Sequence, residues 1–209
     1  MQTRTEEPKK FIVAVVDDDE SVRAALLNLL CSMGYLVQDF PSPQAFLLSQ
    51  NLQKANCVIL DVRMPAFSGF DLQEEMTRAG IDIPIIFMTG YADVPMSVRA
   101  MKGGAVDFLT KPFREQDMLD AVAAGVRADL IRREACLASA VSKERFAGLT
   151  PRERQVMALA TSGMMNKQIA FDLGLSEITV KTHRGKVMKK MNARSFADLV
   201  RLADELAMQ

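Results

Sequence analysis

The stretch Cys57-Val58-Ile59-Leu60-Asp61-Val62-Arg63-Met64-Pro65 constrains the fold more than any other: an unbroken apolar run stops on one carboxylate, and a Pro-Ala-Phe-Ser-Gly turn follows. Short apolar runs bounded by turn signals mark strands buried on both faces, as parallel sheets require. Such a strand delivers Asp61 to its C-terminal edge, where open α/β sheets place their ligands. A carboxylate held there by short connections and open to solvent suits a nucleophile or a metal ligand; taken alone it reads equally well as a helix cap or loop acid.

The same pattern recurs along the first 125 residues. Phe11 to Val16 is apolar and ends on Asp17-Asp18-Asp19-Glu20, Leu36 to Phe40 is a short strand, Pro84 to Met88 ends on Thr89-Gly90, and Val106 to Leu109 ends on Thr110-Lys111-Pro112. Between them, helical spacing places a helix after a Ser21 cap (Val22, Leu26, Leu29, Leu30, Met33), a short one at Ala45 to Leu48, and others over Gly69 to Met76 and Val94 to Met101. Strands alternating with helices predict a five-stranded parallel sheet covered on both faces. Asp17, Asp18, Asp61, Thr89 and Lys111 all follow strand ends, so they converge at one end of that sheet.

Carboxylates gathered in this way stay ionised only if a cation offsets them, and all-oxygen ligation suits Mg²⁺ with room left for a phosphoryl group. One carboxylate then attacks phosphorus to give an aspartyl phosphate, with the metal and a Lys neutralising the transferred oxygens. Thr89 supplies a hydroxyl donor for the incoming phosphoryl group.

Val15-Val16-Asp17-Asp18, Leu60-Asp61-Val62-Arg63-Met64-Pro65, Met88-Thr89-Gly90 and Phe108-Leu109-Thr110-Lys111-Pro112-Phe113 resemble the receiver domain of two-component response regulators. The resemblance implies a doubly wound, CheY-like α/β fold in which Asp61 accepts a phosphoryl group from a sensor histidine kinase. It also implies that Asp17, Asp18, Asp61 and the backbone carbonyl of Arg63 surround Mg²⁺. By the same resemblance Lys111 pairs with the phosphate, Thr89 closes on it, Phe108 is the switch aromatic, and the Lys111-Pro112 peptide is cis.

From Gln116 to Val141 only Gly125 interrupts a helical pattern, with Leu119, Val122, Val126, Leu130, Leu137 and Val141 roughly on one stripe. This reads as the last receiver helix running into a helical linker, whose stripe either pairs with a second copy or packs on its own domain.

Thr150-Pro151-Arg152-Glu153 is a capping box with Pro at the first helical position. Asn166 is expected to cap a short helix over Lys167 to Leu173, and Ser176 a longer one over Glu177 to Met191, separated by Gly174; this is a helix-turn-helix pattern. Ser195 with Asp198 starts a last helix whose Phe196, Leu199, Val200, Ala203 and Leu206 face inward. On the longer helix Val180, Val187 and Met191 share one face. Thr179, Lys181, Thr182, Arg184, Lys186, Lys189 and Lys190, with Asn166 and Lys167 on the helix before, form the candidate DNA-binding set, cations to phosphates and a few side chains to base edges. The segment from Leu149 to His183 resembles the LuxR-type helix-turn-helix, with Gly185 and Lys186 departing from that family's common pattern.

The 209 residues carry 26 Lys and Arg against 26 Asp and Glu, yet from Gly148 onward there are ten basic residues to six acidic ones, a surplus of four. A basic C-terminal segment is compatible with nucleic acid. Three scattered Cys fit no metal or disulfide spacing, no apolar run approaches membrane-spanning length, and the first ten residues are polar, so a cytoplasmic protein is expected. The expected organisation is a receiver over residues 1–125, a helical linker over 126–146 and an all-α helix-turn-helix domain over 147–209. Residues 89–96 point to the FixJ-type subgroup. The resemblance implies a transcription regulator rather than an enzyme, dimerised by phosphorylation and bound to promoter DNA, with RNA polymerase as a further partner and no membrane. Two rivals remain: a DNA-binding regulator indifferent to phosphorylation, and a Mg²⁺-dependent aspartyl-phosphate hydrolase. The latter would need an acid-base carboxylate close after Asp61, where Val62 and Arg63 stand.

Overall fold

The computed structural model describes residues 10–50, 52–91 and 93–207. The polar N-terminal tail up to residue 9, Ala92 within the 89–96 stretch, and the last two residues of the expected C-terminal domain lie outside that description. The chain forms two compact units, up to Arg132 and from Arg133 onward.

In the first unit β1 (Ile12–Val16), β2 (Leu36–Phe40), β3 (Cys57–Asp61), β4 (Ile85–Thr89) and β5 (Asp107–Thr110) form one sheet in the order β2-β1-β3-β4-β5. Every pairing is parallel. The helices α1 (Glu20–Ser32), α2 (Pro43–Leu47), α3 (Gly69–Arg78), α4 (Val94–Lys102) and the first part of α5 (Glu115–Ala147) connect the strands and cover the sheet. The expected doubly wound sheet is therefore present. Its continuous apolar runs are explained by two cores: Ala14, Val16, Val58, Leu60 and Phe87 pack on one face with Phe70, Leu72 and Met76. Val13, Val15, Ile59, Ile86 and Met88 pack on the other with Leu26, Leu30, Met118 and Val122. Each fully buried aliphatic side chain contributes about 1.5–3 kcal/mol, so in the central strands β1, β3 and β4 polar side chains are confined to the ends, whereas β2 carries the exposed Asp39.

Local details differ from the sequence reading. Asp19, not Ser21, caps α1, its Oδ1 accepting from the backbone N–H groups of Ser21 and Val22 at 2.8 and 3.4 Å. Ser21 lies within the first turn, two residues past the capping position, and its own N–H is one of the groups being capped. At the opposite end of the sheet from Asp61, Asn56 accepts the Ile12 N–H at 2.8 Å and donates to Asp129 Oδ2 at 2.7 Å. Asp129, fully buried on α5, also receives the Arg132 guanidinium. Leu130, Ile131, Leu137 and Val141 are exposed on α5, whereas Val122 and Val126 are buried.

The second unit holds the end of α5, then α6 (Pro151–Thr161), α7 (Asn166–Leu173), α8 (Glu177–Met191) and α9 (Phe196–Ala207). Leu149, Met157, Val187, Met191 and Leu199 form one cluster, and Val156, Ala160, Ile169, Ala170 and Val180 another. The α7–α8 connection turns on Gly174, whose φ of 65° is a left-handed conformation that glycine adopts without steric cost. The capping box at Thr150 is formed, and buried Glu153 does double duty: its Oε2 accepts from the Thr150 N–H at 2.8 Å and from Lys190 Nζ at 2.6 Å. Lys190 first, then the Thr150 N–H, hold the Glu153 carboxyl down at about 2, against an ordinary value of 4.5.

Two outcomes are expected. A folded-state carboxyl value below the unfolded one stabilises the protein fully above about pH 4.5 and loses that contribution as the pH falls towards 2. Glu153→Gln flattens this acid limb in thermal unfolding of the C-terminal unit, and an unchanged pH profile would detach Glu153 from it. Gly69 opens α3 where a Cβ would stand 2.4 Å from the Asp61 carbonyl oxygen. Gly69→Ala therefore destabilises the receiver by about 1–3 kcal/mol in urea unfolding, and a neutral effect would show that the β3–α3 junction is slack.

Candidate functional site

Val16 and Leu60 are register partners on adjacent strands, so Asp17 and Asp61 emerge side by side one residue later. Both are buried, Asp17 at 1% and Asp61 at 5% exposure. Lys111, beyond the end of β5, reaches between them: its Nζ lies 2.6 Å from Asp17 Oδ2 and 2.8 Å from Asp61 Oδ1. The remaining oxygens are held locally, Asp17 Oδ1 by the Asp19 N–H at 2.8 Å and Asp61 Oδ2 by the Arg63 N–H at 2.7 Å. Arg23, which the sequence reading passed over, donates to the Asp17 carbonyl at 2.8 Å; its place one turn into α1 was the available signal.

One ammonium thus serves two carboxylates. Burial, reinforced by the negative charge of Asp17, pushes the Asp61 carboxyl above its ordinary value despite the opposing pull of Lys111. Burial acts downward on Lys111, but the hydrogen bonds it donates to Asp17 and Asp61 outweigh it and its value is raised. A protonated lysine beside an anion with raised proton affinity is a site short of positive charge.

The other expected residues occupy the same edge in different ways. Asp18 is exposed. Among the described residues no group of three His, Cys, Asp or Glu side chains is placed to hold a metal ion; what converges is the Asp17–Asp61 pair. The donor chemistry is nonetheless that of a hard divalent cation that retains its waters: two buried carboxylates sharing one ammonium, with the exposed acid of Asp18 next in sequence. Thr89 is fully buried, and its Oγ1 donates to the Tyr91 carbonyl and accepts from the Tyr91 N–H, both at 3.2 Å. Phe108 is half-buried, its ring centroid 6.4 Å from that of Phe87. The Arg63 guanidinium stacks on the Tyr91 ring at 4.9 Å across the mouth of the site. The Lys111-Pro112 peptide is cis.

In the second unit α8 begins at Ser176, whose Oγ accepts the Thr179 N–H at 3.1 Å and also pairs with the Thr179 hydroxyl. Val180, Val187 and Met191 are buried, while Lys181, Thr182, Gly185, Lys186 and Lys189 are exposed, as is Lys167 on α7. Three members of the candidate set are engaged inside the domain. Arg184 donates to Asn166 Oδ1 at 2.6 Å and lies 4.7 Å over the ring of Phe196, which stays partly exposed. Lys190 is held by Glu153 and by the Gly148 carbonyl. Asn166 does not cap α7; Met165 occupies that position and the Gln168 side chain accepts its N–H at 2.8 Å.

Two family models match the chain: the response regulator receiver domain over residues 13–123, and the luxR family of bacterial regulatory proteins over residues 147–203. The chain belongs to the two-component response regulators. This response regulator is 54% identical to nodulation protein W of Bradyrhizobium diazoefficiens, the match covering 97% of this chain and 89% of that protein. It is 45% identical to the transcriptional regulatory protein FixJ of Azorhizobium caulinodans, covering 94% and 93%. It is 43% identical to the response regulator protein TodT of Pseudomonas putida, covering 93% and 86%. Among solved structures, the response regulator StyR matches with a TM-score of 0.79 at 48% identity over 94% of this chain and 99% of that one. Full-length FixJ from B. japonicum matches with a TM-score of 0.54 at 41% identity over 96% and 98%. The response regulator is accordingly a transcription regulator with a receiver and a LuxR-type DNA-binding domain, in a family of regulators rather than of typical enzymes. No helix among its described residues is long and apolar enough to cross a membrane.

Lys111→Met removes the charge and hydrogen bond that restrain the Asp61 carboxyl. Its pKa rises further, as a ¹³C NMR titration of that carboxylate would record; an unmoved titration would mean that Lys111 and Asp61 are uncoupled in solution.

Proposed function

We propose that the response regulator stores a phosphoryl group on Asp61 and uses it to control DNA binding by the C-terminal unit. The observation that carries this reading is the buried Asp17–Lys111–Asp61 bridge, which holds an activated oxygen and its neutralising cation at one sheet edge. An Asp61 oxygen attacks the phosphorus of a kinase phosphohistidine; the P–O bond forms as the P–N bond breaks, and the electron pair leaves with the imidazole. Lys111 Nζ meets the incoming phosphoryl oxygens, so its hold on Asp17 and Asp61 is redistributed. Asp17, Asp18, Asp61 and the Arg63 carbonyl would hold Mg²⁺, which when bound would supply further charge neutralisation for the transferred oxygens. Thr89 exchanges its Tyr91 bonds for one to the phosphoryl group, and Phe108 follows it inward. The shift is driven by these differential contacts.

In this reading the receiver spans residues 1–125, the linker 126–146 and the DNA-binding domain 147–209, consistent with the two matched regions and with α5 extending through the linker stretch. Lys167, Lys181, Lys186 and Lys189 meet phosphates, with Thr179 and Thr182 beside them; Arg184, Asn166 and Lys190 brace the domain from within. Exposed Val94, Val98 and Met101 on α4 support a phosphorylation-dependent homodimer. A cytoplasmic setting, a sensor histidine kinase, promoter DNA and RNA polymerase complete the proposal.

The test uses the full-length chain with acetyl phosphate and Mg²⁺. Wild type takes up one phosphoryl group and gains at least about fivefold in DNA affinity, while Asp61→Asn does neither. Equal affinity with and without phosphodonor would favour the phosphorylation-independent regulator.

A further inference from the structure

At roughly 100° per residue, the buried residues Val180, Val187 and Met191 define one side of α8, and Ile178, Thr182, Gly185 and Lys189 fall within about 40° of the opposite direction. These four residues are the part of the helix that projects furthest from the domain. Ile178 is 79% exposed, an unusual place for a branched aliphatic side chain in the first turn of a helix otherwise rich in cations. Thr182 donates its hydroxyl hydrogen to the Ile178 carbonyl at 2.9 Å, and Gly185 brings no side chain, with open space where a Cβ would stand. The N-terminal half of the projecting stripe is therefore apolar or self-bonded. Lys181 flanks it on one side and Lys186 on the other, both exposed.

This is a division of labour across the helix: outer cations suited to the two phosphate walls of a groove, and a central apolar surface suited to whatever lies on its floor. The apolar group presented on the floor of the B-DNA major groove is the 5-methyl of thymine. We propose that Ile178 is a specificity-determining residue of the response regulator, packing against a thymine methyl in each half-site, with Gly185 allowing the helix to seat closely. The inference rests on the DNA-binding reading above and adds to it the base class that is read.

The test begins with duplexes selected from a random pool by the full-length, phosphorylated wild-type chain. Each thymine is then replaced by deoxyuridine, which lacks only the 5-methyl group. Wild type loses about fourfold per half-site at one symmetry-related pair of positions, the worth of one buried methyl group. Ile178→Ala binds the thymine duplex more weakly by a similar factor and no longer distinguishes thymine from uracil there, while its salt dependence stays that of wild type. Lys186→Ala, by contrast, lowers the salt slope and keeps the discrimination. If Ile178→Ala discriminates as wild type does, or if no thymine replacement matters, the assignment is wrong while DNA binding stands. If the pool yields no enriched sequence and random duplex is not bound either, the DNA-binding reading falls, and this inference with it.

Discussion

Lys111 is the cation on which the acid site depends. Adjacent parallel strands bring Asp17 and Asp61 into neighbouring positions inside a nearly water-free edge, an arrangement that like charges resist. The ammonium that enters between them makes the pair tolerable without satisfying it, because two anions share one positive charge. That shortfall keeps the Asp61 carboxyl above its ordinary range and leaves the edge receptive to further positive charge. The β5 terminus and the Lys111 N–H bonded to the Thr89 carbonyl at 2.7 Å are the scaffolding that aims this side chain.

The sheet was legible because its strands are buried on both faces, so hydrophobicity runs unbroken from Val13 to Val16 and from Cys57 to Leu60 and stops where chemistry begins. For the same reason Asp17, Asp61 and Lys111 could be assembled from residues up to 94 positions apart. Pairing choices made by tertiary partners were harder to see. Arg184 and Lys190 look like any other cations of α8 until Asn166, Phe196 and Glu153 are placed beside them. Asp19 and Ser21 are both competent caps, and a two-residue difference in where the helix opens decided between them. Exposed Ile178 looked unremarkable in sequence because an isolated aliphatic residue on a helix usually belongs to a core.

Both units place a buried carboxylate where chain segments meet. Asp129 joins α5, through Asn56, to the first residue of β1, and Glu153 joins the start of α6 to the end of α8. In each case the acid is bonded both to a neutral donor and to a cation, the condition under which burying charge is tolerable. These junctions tie a helix to the segment beside it, Asp129 from the middle of α5 and Glu153 at the start of α6, and they leave Lys181, Thr182, Gly185, Lys186 and Lys189 of α8 exposed.

The pairing of Lys190 with Glu153 has a thermodynamic corollary. An ammonium already paired with a carboxylate of its own domain is less available to neutralise a phosphate and release the cation condensed there, so it adds little to the ionic-strength dependence of association; Arg184, held by a neutral amide and a ring, keeps its full charge. A count of the domain's Lys and Arg therefore overstates its electrostatic grip on DNA by this one residue, Lys190. Its partners are held by fewer counterion releases per protomer than a count of Lys and Arg suggests, and correspondingly more of the discrimination rests on contacts that salt does not screen.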